Sequence, residues 1–233
     1  MFYLTGDCHR TLNMDKIRPY NFPEGQSLTK DDYVIILGDF GFIWDNDIDE
    51  LYWRNWFNEQ PFTVLFIDGN HENFNLLRKF PTSQWKGGKV RFIRDNLIYL
   101  ERGQVFEIDG FKFFTFGGAT SIDKHRRVQN VSWWKQEVPS KREYNVGLEN
   151  LKKHNFTVDY VLTHTCPTEI STLLGFNNKK ILDPTQVMLD RFQSVLTFKK
   201  WFFGHFHMDA QILDKYFAVF EDKISLKKNT YIQ

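Results

Sequence analysis

Five of the seven histidines in this chain, His9, His71, His164, His205 and His207, follow closely on short apolar runs, and Asp7, Asp39 and Asn70 stand in the same kind of position. Imidazole and carboxylate together suit borderline divalent metals such as zinc, manganese and iron. Cys8 and Cys166 are the only cysteines, too few for a closed thiolate zinc site or a disulfide scaffold. In Asp7-Cys8-His9 and His205-Phe206-His207 the ligand types recur at i and i+2. On extended chain that spacing sends both side chains to one side and Cys8 to the other, where a small buried thiol is expected. Two such pairs can converge on metal from separate strands, and one aspartate can bridge two ions. Ions roughly 3.5–4 Å apart hold a hydroxide between them and clamp both oxygens of an in-line displacement at phosphorus.

Residues of this kind have to be held by strand ends. Apolar runs at 2–4, 33–37, 63–67, 158–162 and 200–203 each lead into Gly6-Asp7, Gly38-Asp39, Asp68-Gly69-Asn70-His71, Thr163-His164 or Gly204-His205. They read as buried strands with polar residues at their carboxyl ends. Helices are expected over 49–59, capped by Asp47 or Asp49, over 144–154, and over 184–196 with Pro184 in the first turn. The stretch from 90 to 118 instead reads as short strands at 90–94, 97–100, 105–108 and 111–116, with Asp109-Gly110 as a hairpin turn. A further hairpin is expected within 210–220. The expectation is a mixed α/β domain over residues 1–233, with two sheets face to face and ligands outside the carboxyl ends of the strands.

Composition sets outer limits. The chain has 233 residues, 42% hydrophobic, with 24 Phe, so a Phe-rich core is expected. The formal charge of +1 gives no global field for nucleic acid or anionic membrane, although a local patch from Lys124, Arg126, Arg127 and Lys135 leaves nucleic acid open. The longest apolar runs are strand-length and no apolar leader precedes the first strand, so a non-membrane, cytoplasmic protein is the expectation.

The ordered set Gly6-Asp7-x-His9, Gly38-Asp39, Gly69-Asn70-His71-Glu72, Thr163-His164 and Gly204-His205-x-His207 resembles the calcineurin-like metallophosphoesterase family. Each motif alone is weak; five in order, each after a strand-like run, are specific. The resemblance implies a four-layered α/β/β/α sandwich with two metals at the sheet edge. It implies one ion on Asp7, His9, Asp39 and His207, and a second on Asp39, Asn70, His164 and His205, with Asp39 bridging and catalytic. His71 matches the family's unligated catalytic histidine, which stabilises the phosphate or protonates the leaving oxygen. The ligand mix accepts manganese first, with iron, zinc, cobalt or nickel as alternatives.

The second motif, Gly38-Asp39-Phe40-Gly41-Phe42-Ile43-Trp44, lacks the Asp-Arg-Gly of the protein phosphatases. The usual partner of the catalytic histidine and the usual phosphate grip are therefore missing there, and Asp45 or Glu72 is left to orient His71. In 117–127, rich in small and basic residues, Arg126 or Arg127 can fork a phosphate. The bland alternative is a solvated loop. Trp133-Trp134 can stack a base, but adjacent aromatics are more often one core and one surface residue. The expected function is phosphate-ester hydrolysis, by a phosphatase or phosphodiesterase acting on a phosphorylated small molecule, nucleotide or phosphoprotein. The alternatives are a nuclease of the same family or a non-catalytic scaffold, and the complete ligand set argues against the scaffold.

Overall fold

The computed structural model describes residues 1–176 and 183–227. The chain begins with β1 (Phe2–Thr5) and β2 (Tyr33–Ile36), then α1 (Ile48–Glu59), β3 (Thr63–Phe66) and α2 (Phe74–Leu77). Four antiparallel-paired strands follow, β4 (Thr82–Trp85), β5 (Gly88–Arg94), β6 (Leu97–Leu100) and β7 (Gln104–Ile108), leading into β8 (Phe111–Phe116). The remainder alternates: α3 (Lys141–Lys153), β9 (Tyr160–Thr163), α4 (Thr168–Leu173), α5 (Pro184–Gln193), β10 (Lys200–Phe203), and finally β11 (Ala210–Ile212), β12 (Tyr216–Ala218) and β13 (Ile224–Leu226). They form two mixed sheets, of seven strands (β13-β1-β2-β3-β6-β5-β4) and six strands (β11-β12-β10-β9-β8-β7).

Period-two alternation decides the layers. Phe2, Leu4, Ile35, Leu65 and Ile98 of the first sheet meet Phe106, Phe113, Leu162 and Phe202 of the second in one core. The alternate residues Val34, Ile36, Val64 and Phe66 turn outward and pack with Phe57 of α1. On the far side, Phe114, Phe116, Val161, Trp201 and Phe203 pack with Leu151, Ile170, Leu189 and Phe192 from α3, α4 and α5. The result is the four-layered α/β/β/α sandwich, with the expected Phe-rich core.

Local signals account for most boundaries. Asp47 caps α1, accepting from Glu50 N–H. Asp109 and Gly110, at φ 50° and 80°, make the tight β7–β8 turn. Several boundaries differ from expectation. Helix α3 starts at Lys141 rather than 144, because Ser140 and Glu143 form a capping box that the apolar spacing does not reveal. Helix α5 ends at Gln193, three residues short of 196. Strand β9 starts at Tyr160, two residues after 158. The hairpin in 210–220 is present as β11–β12, but β13 beyond it was not anticipated; it lies antiparallel to β1. Edge strand β4, with three of its four residues exposed, carries no burial signal at all. Among the described residues, no helix is long and apolar enough to cross a membrane.

Candidate metal centre

The polar residues lie beyond the carboxyl ends of five parallel strands: Asp7 and His9 after β1, Asp39 after β2, Asn70 and His71 after β3, His164 after β9, and His205 and His207 after β10. The two sheets bring them together. Asp39 Oδ2 is 3.2 Å from His9 Nε2 and 3.4 Å from His164 Nε2. Asp7 Oδ2 is 3.1 Å from His207 Nε2. Asn70 Oδ1 is 3.1 Å from His164 Nε2, and the rings of His164 and His205 are 5.0 Å apart. Potential ligand atoms of Asp7, His9 and His207 form one tight group, and those of Asp7, Asp39 and His164 another.

The i, i+2 pairs do not converge by extended-strand alternation, as the spacing suggested. His9, Asp39, His205 and His207 all have left-handed backbones, with φ of 45°, 47°, 69° and 49°. Non-glycine residues seldom adopt this conformation, and it collects where function over-determines the backbone. The turns are tied down from the chain itself. Cys8 and His9 N–H both donate to Asp39 O, at 3.1 and 2.8 Å, and His205 N–H donates to Asp7 Oδ1 at 3.0 Å. His71 N–H donates to Asp39 Oδ1 at 2.6 Å. Gly38, at φ 93°, admits the His164 ring: a Cβ there would lie 2.2 Å from Nδ1. Cys8 does point away, as expected, into the core beneath α1, and burial pushes its thiol up to about 12.

The donor chemistry fits a cation. His164 Nδ1–H donates to Leu37 O at 2.8 Å; a carbonyl only accepts, so Nε2 is the nitrogen that faces Asp39 and Asn70, where it can carry a proton or, deprotonated, ligate a cation. Asp7 Oδ2 is buried with no hydrogen-bond donor of the main chain or of another side chain on it, and only His207 Nε2, at 3.1 Å, approaches it among the described residues. Such an orphan beside three imidazoles is what a metal ligand looks like before a partner is considered. Burial alone would raise both carboxyls, yet the His164 charge holds Asp7 below and Asp39 well below the ordinary carboxylate range. Conversely, burial pulls His164 down, but Asp39 and Asp7 outweigh it and hold its imidazolium up to about 10. His205 is pushed down to about 4, by burial and by His164. Unmetallated, the site therefore needs a proton where a divalent cation would sit.

A family model, calcineurin-like phosphoesterase, matches residues 1–209. The chain belongs to that family. Membership supports a metal-dependent hydrolase of phosphate esters, and the Asp and His groups just described can hold the metal.

Two expectations specific to this family member change. Neither Asp45 nor Glu72 orients His71. Glu72 Oε1 accepts from Phe40 N–H at 2.8 Å, and Asp45 faces Arg10. Arg127 takes that place instead, with Nη1 2.9 Å from His71 Nδ1. Arginine only donates, so Nδ1 is an acceptor and the ring is neutral here. Burial lowers His71 as well, and Arg127 adds to that against the pull of Asp39. Asp123 steadies the guanidinium, 2.9 Å from Nε and 2.8 Å from Nη2. Arg126 is not brought to the cluster: it is exposed on the turn Lys124–Arg126, with no hydrogen bond or ion pair joining its side chain to the site among the described residues. Trp134 is buried against Trp44, while Trp133 is half-buried under Lys124. That is one core and one surface residue.

Three supports escaped the sequence reading. Lys16, buried, donates from Nζ to Asp7 O at 2.8 Å and to Phe220 O. Asp68 and Arg102 form a buried ion pair behind Asn70, at 2.5 Å. Ser121 and Glu137 line up behind the Asn70 amide. Only Asp68 left a trace in the sequence, as a carboxylate closing a wholly apolar run.

Proposed function

We propose that the protein is a dinuclear phosphoesterase that binds one divalent ion through Asp7, His9, Asp39 and His207 and a second through Asp39, Asn70, His164 and His205. The observation that carries this reading is the position of Asp39 Oδ2, within 3.2 Å of His9 Nε2 and 3.4 Å of His164 Nε2, one from each proposed ligand set. Bound there, the ions supply Lewis-acid polarisation of a phosphoryl group and an acidified water. Manganese is the first ion to test, and a set of oxygen and imidazole donors without thiolate accepts iron, zinc, cobalt or nickel as well.

The chain's own residues do the rest. Asp39 sets the spacing of the two ligand sets, and its Oδ1, held by His71 N–H, fixes the backbone that presents His71. With the Nε–Nη2 edge of Arg127 held on Asp123, its Nη1–Nη2 end can fork phosphoryl oxygens once Nη1 turns from His71, replacing the arginine that the second motif lacks. His71, beside it, stabilises the phosphoryl oxygens through its remaining N–H, and delivers a proton to the leaving oxygen only after Nδ1, released by Arg127, has taken one up. The half-open setting, with His207 half exposed and His9 partly so, admits a phosphorylated small molecule, a nucleotide or a phosphorylated side chain on a protein surface.

The test is to strip the purified protein of metal, restore Mn²⁺, and compare p-nitrophenyl phosphate with bis-p-nitrophenyl phosphate, using Asp39→Asn as blank. Metal-dependent turnover that vanishes in the variant is expected, and the monoester-to-diester ratio assigns phosphatase or phosphodiesterase. Undiminished turnover in metal-loaded Asp39→Asn, or no turnover with any of manganese, iron, zinc, cobalt and nickel, defeats the reading.

A further inference from the structure

The Asn70 carboxamide has two faces that look alike in shape and are opposite in polarity. Only its oxygen can serve a cation; its NH₂ turned the same way would repel one. Which way it faces is set outside the metal cluster. Asn70 Nδ2 donates to Ser121 Oγ at 3.1 Å. Ser121 Oγ in turn donates to Glu137 Oε2 at 2.7 Å, and Ser121 N–H donates to Glu137 Oε1 at 3.0 Å. All three residues are buried, at 4%, 3% and 1% exposure, so water does not substitute readily for any link. A hydroxyl has one hydrogen. Spent on the carboxylate, it leaves Ser121 Oγ as an acceptor, which requires the amide NH₂ on that side and the oxygen on the other, 3.1 Å from His164 Nε2.

We infer that Ser121 and Glu137 are positioning residues that lock the Asn70 carboxamide with its oxygen toward the second ion, making occupancy of that ion depend on the 117–137 segment that also carries Arg127. This rests on the dinuclear reading above. The dependence runs through polarity rather than bulk. In Glu137→Gln the shape is nearly unchanged. The Ser121 N–H keeps the glutamine oxygen at the Oε1 position, which puts NH₂ against Ser121 Oγ. The hydroxyl hydrogen is then free to point at Asn70, drawing the amide oxygen away from the ion. Ser121→Ala removes the lock without reversing it.

Outer partners that orient a ligand typically change metal affinity by about 10- to 100-fold. Full-length metal-free protein is titrated with Mn²⁺ by calorimetry, with bound ions counted by elemental analysis. The expected result is two ions in the wild type. Ser121→Ala should weaken one of them by about tenfold and Glu137→Gln the same one by more, leaving the other ion unchanged, while Ser121→Thr, which keeps the hydroxyl, binds both. Asn70→Ala combined with Ser121→Ala should bind no more weakly than Asn70→Ala alone, because the hydroxyl acts only through the amide. A merely structural role would weaken both ions together and lower the melting temperature of the metal-free protein. That result overturns the inference, as do wild-type affinities in both Ser121→Ala and Glu137→Gln. A wild type that binds fewer than two ions overturns the dinuclear reading and this inference with it, so the two failures are distinguishable.

Discussion

Asp39 and Asp68 sit in matching places, three and two residues beyond the ends of the neighbouring parallel strands β2 and β3, and both are buried. Their surroundings are opposite. Asp68 is saturated by donors from the chain: Tyr99 Oη donates to Oδ1 at 2.8 Å, and Arg102 donates to Oδ2 from Nε at 2.8 Å and Nη2 at 2.5 Å. Arg102 Nη2 also donates to Gln136 O at 2.9 Å, so the pair staples the loop after β3 to the segment before α3. Asp39 Oδ2 instead faces imidazole nitrogens, with the buried, unsatisfied Asp7 Oδ2 in the same cluster. A buried charge has to be paired. The chain neutralises Asp68 itself, whereas around Asp39 it assembles further ligand atoms and leaves the opposite charge to come from outside. The first carboxylate is architecture and the second is a site.

That contrast can be broken in graded ways. The largest effect is expected for Asp39→Asn, which should cut metal-dependent turnover by about 10³-fold or more, as several kcal/mol of charge stabilisation corresponds to that factor. Its circular dichroism should remain native, because no internal ion pair to a guanidinium or ammonium is lost. An unfolded variant would mean that Asp39 is architecture after all. Arg102→Met should do the reverse, leaving Asp68 buried and unpaired at a cost of about 3–5 kcal/mol in urea unfolding. An unchanged unfolding midpoint would show that the Asp68 centre is not the staple described here. Arg127→Ala should lower kcat/KM by about 10²-fold with both ions still bound, and lysine should restore little of it, since an ammonium cannot fork. The exposed Arg126, replaced by Ala, should change it far less; equal losses would return both arginines to a general basic surface. Metal itself should act on stability: removing it with a chelator should cost about 2.7 kcal/mol relative to protein held at 100-fold above its dissociation constant, read as a lower melting temperature. An identical melt with and without metal would argue that the cluster binds no cation in the folded state.

How much of this was legible without coordinates follows from the range over which each feature is encoded. The strand runs were legible because both faces of these strands are buried, so 33–37 and 63–67 are written as unbroken apolar runs in consecutive residues. The fold class followed from their number and from the helix signals between them. The capping box at Ser140 and Glu143 is equally local, but the apolar spacing over 144–154 does not point to it. Edge strand β4 and strand β13 are different: their identity comes from partners, Trp85 against Gly88 across a turn and Leu226 against Phe2 at the opposite end of the chain.

For the site, the sequence by itself determined which ligand types are available and in what order they arrive, because affinity for a divalent ion depends first on donor chemistry and every donor trails a recognisable strand. What only the tertiary structure decided is how those donors are aimed. The left-handed turns at His9, Asp39 and His205 are held by hydrogen bonds between strand ends; aspartate and histidine tolerate this conformation better than most residues, but their type does not say which positions adopt it. The pairing of Arg127 with His71 spans 56 residues, that of Ser121 with Asn70 spans 51, and that of Arg102 with Asp68 spans 34. Interactions over such distances carry no local periodicity. They exist only once two sheets have packed, because it is the burial at that junction that makes each polar group find a partner.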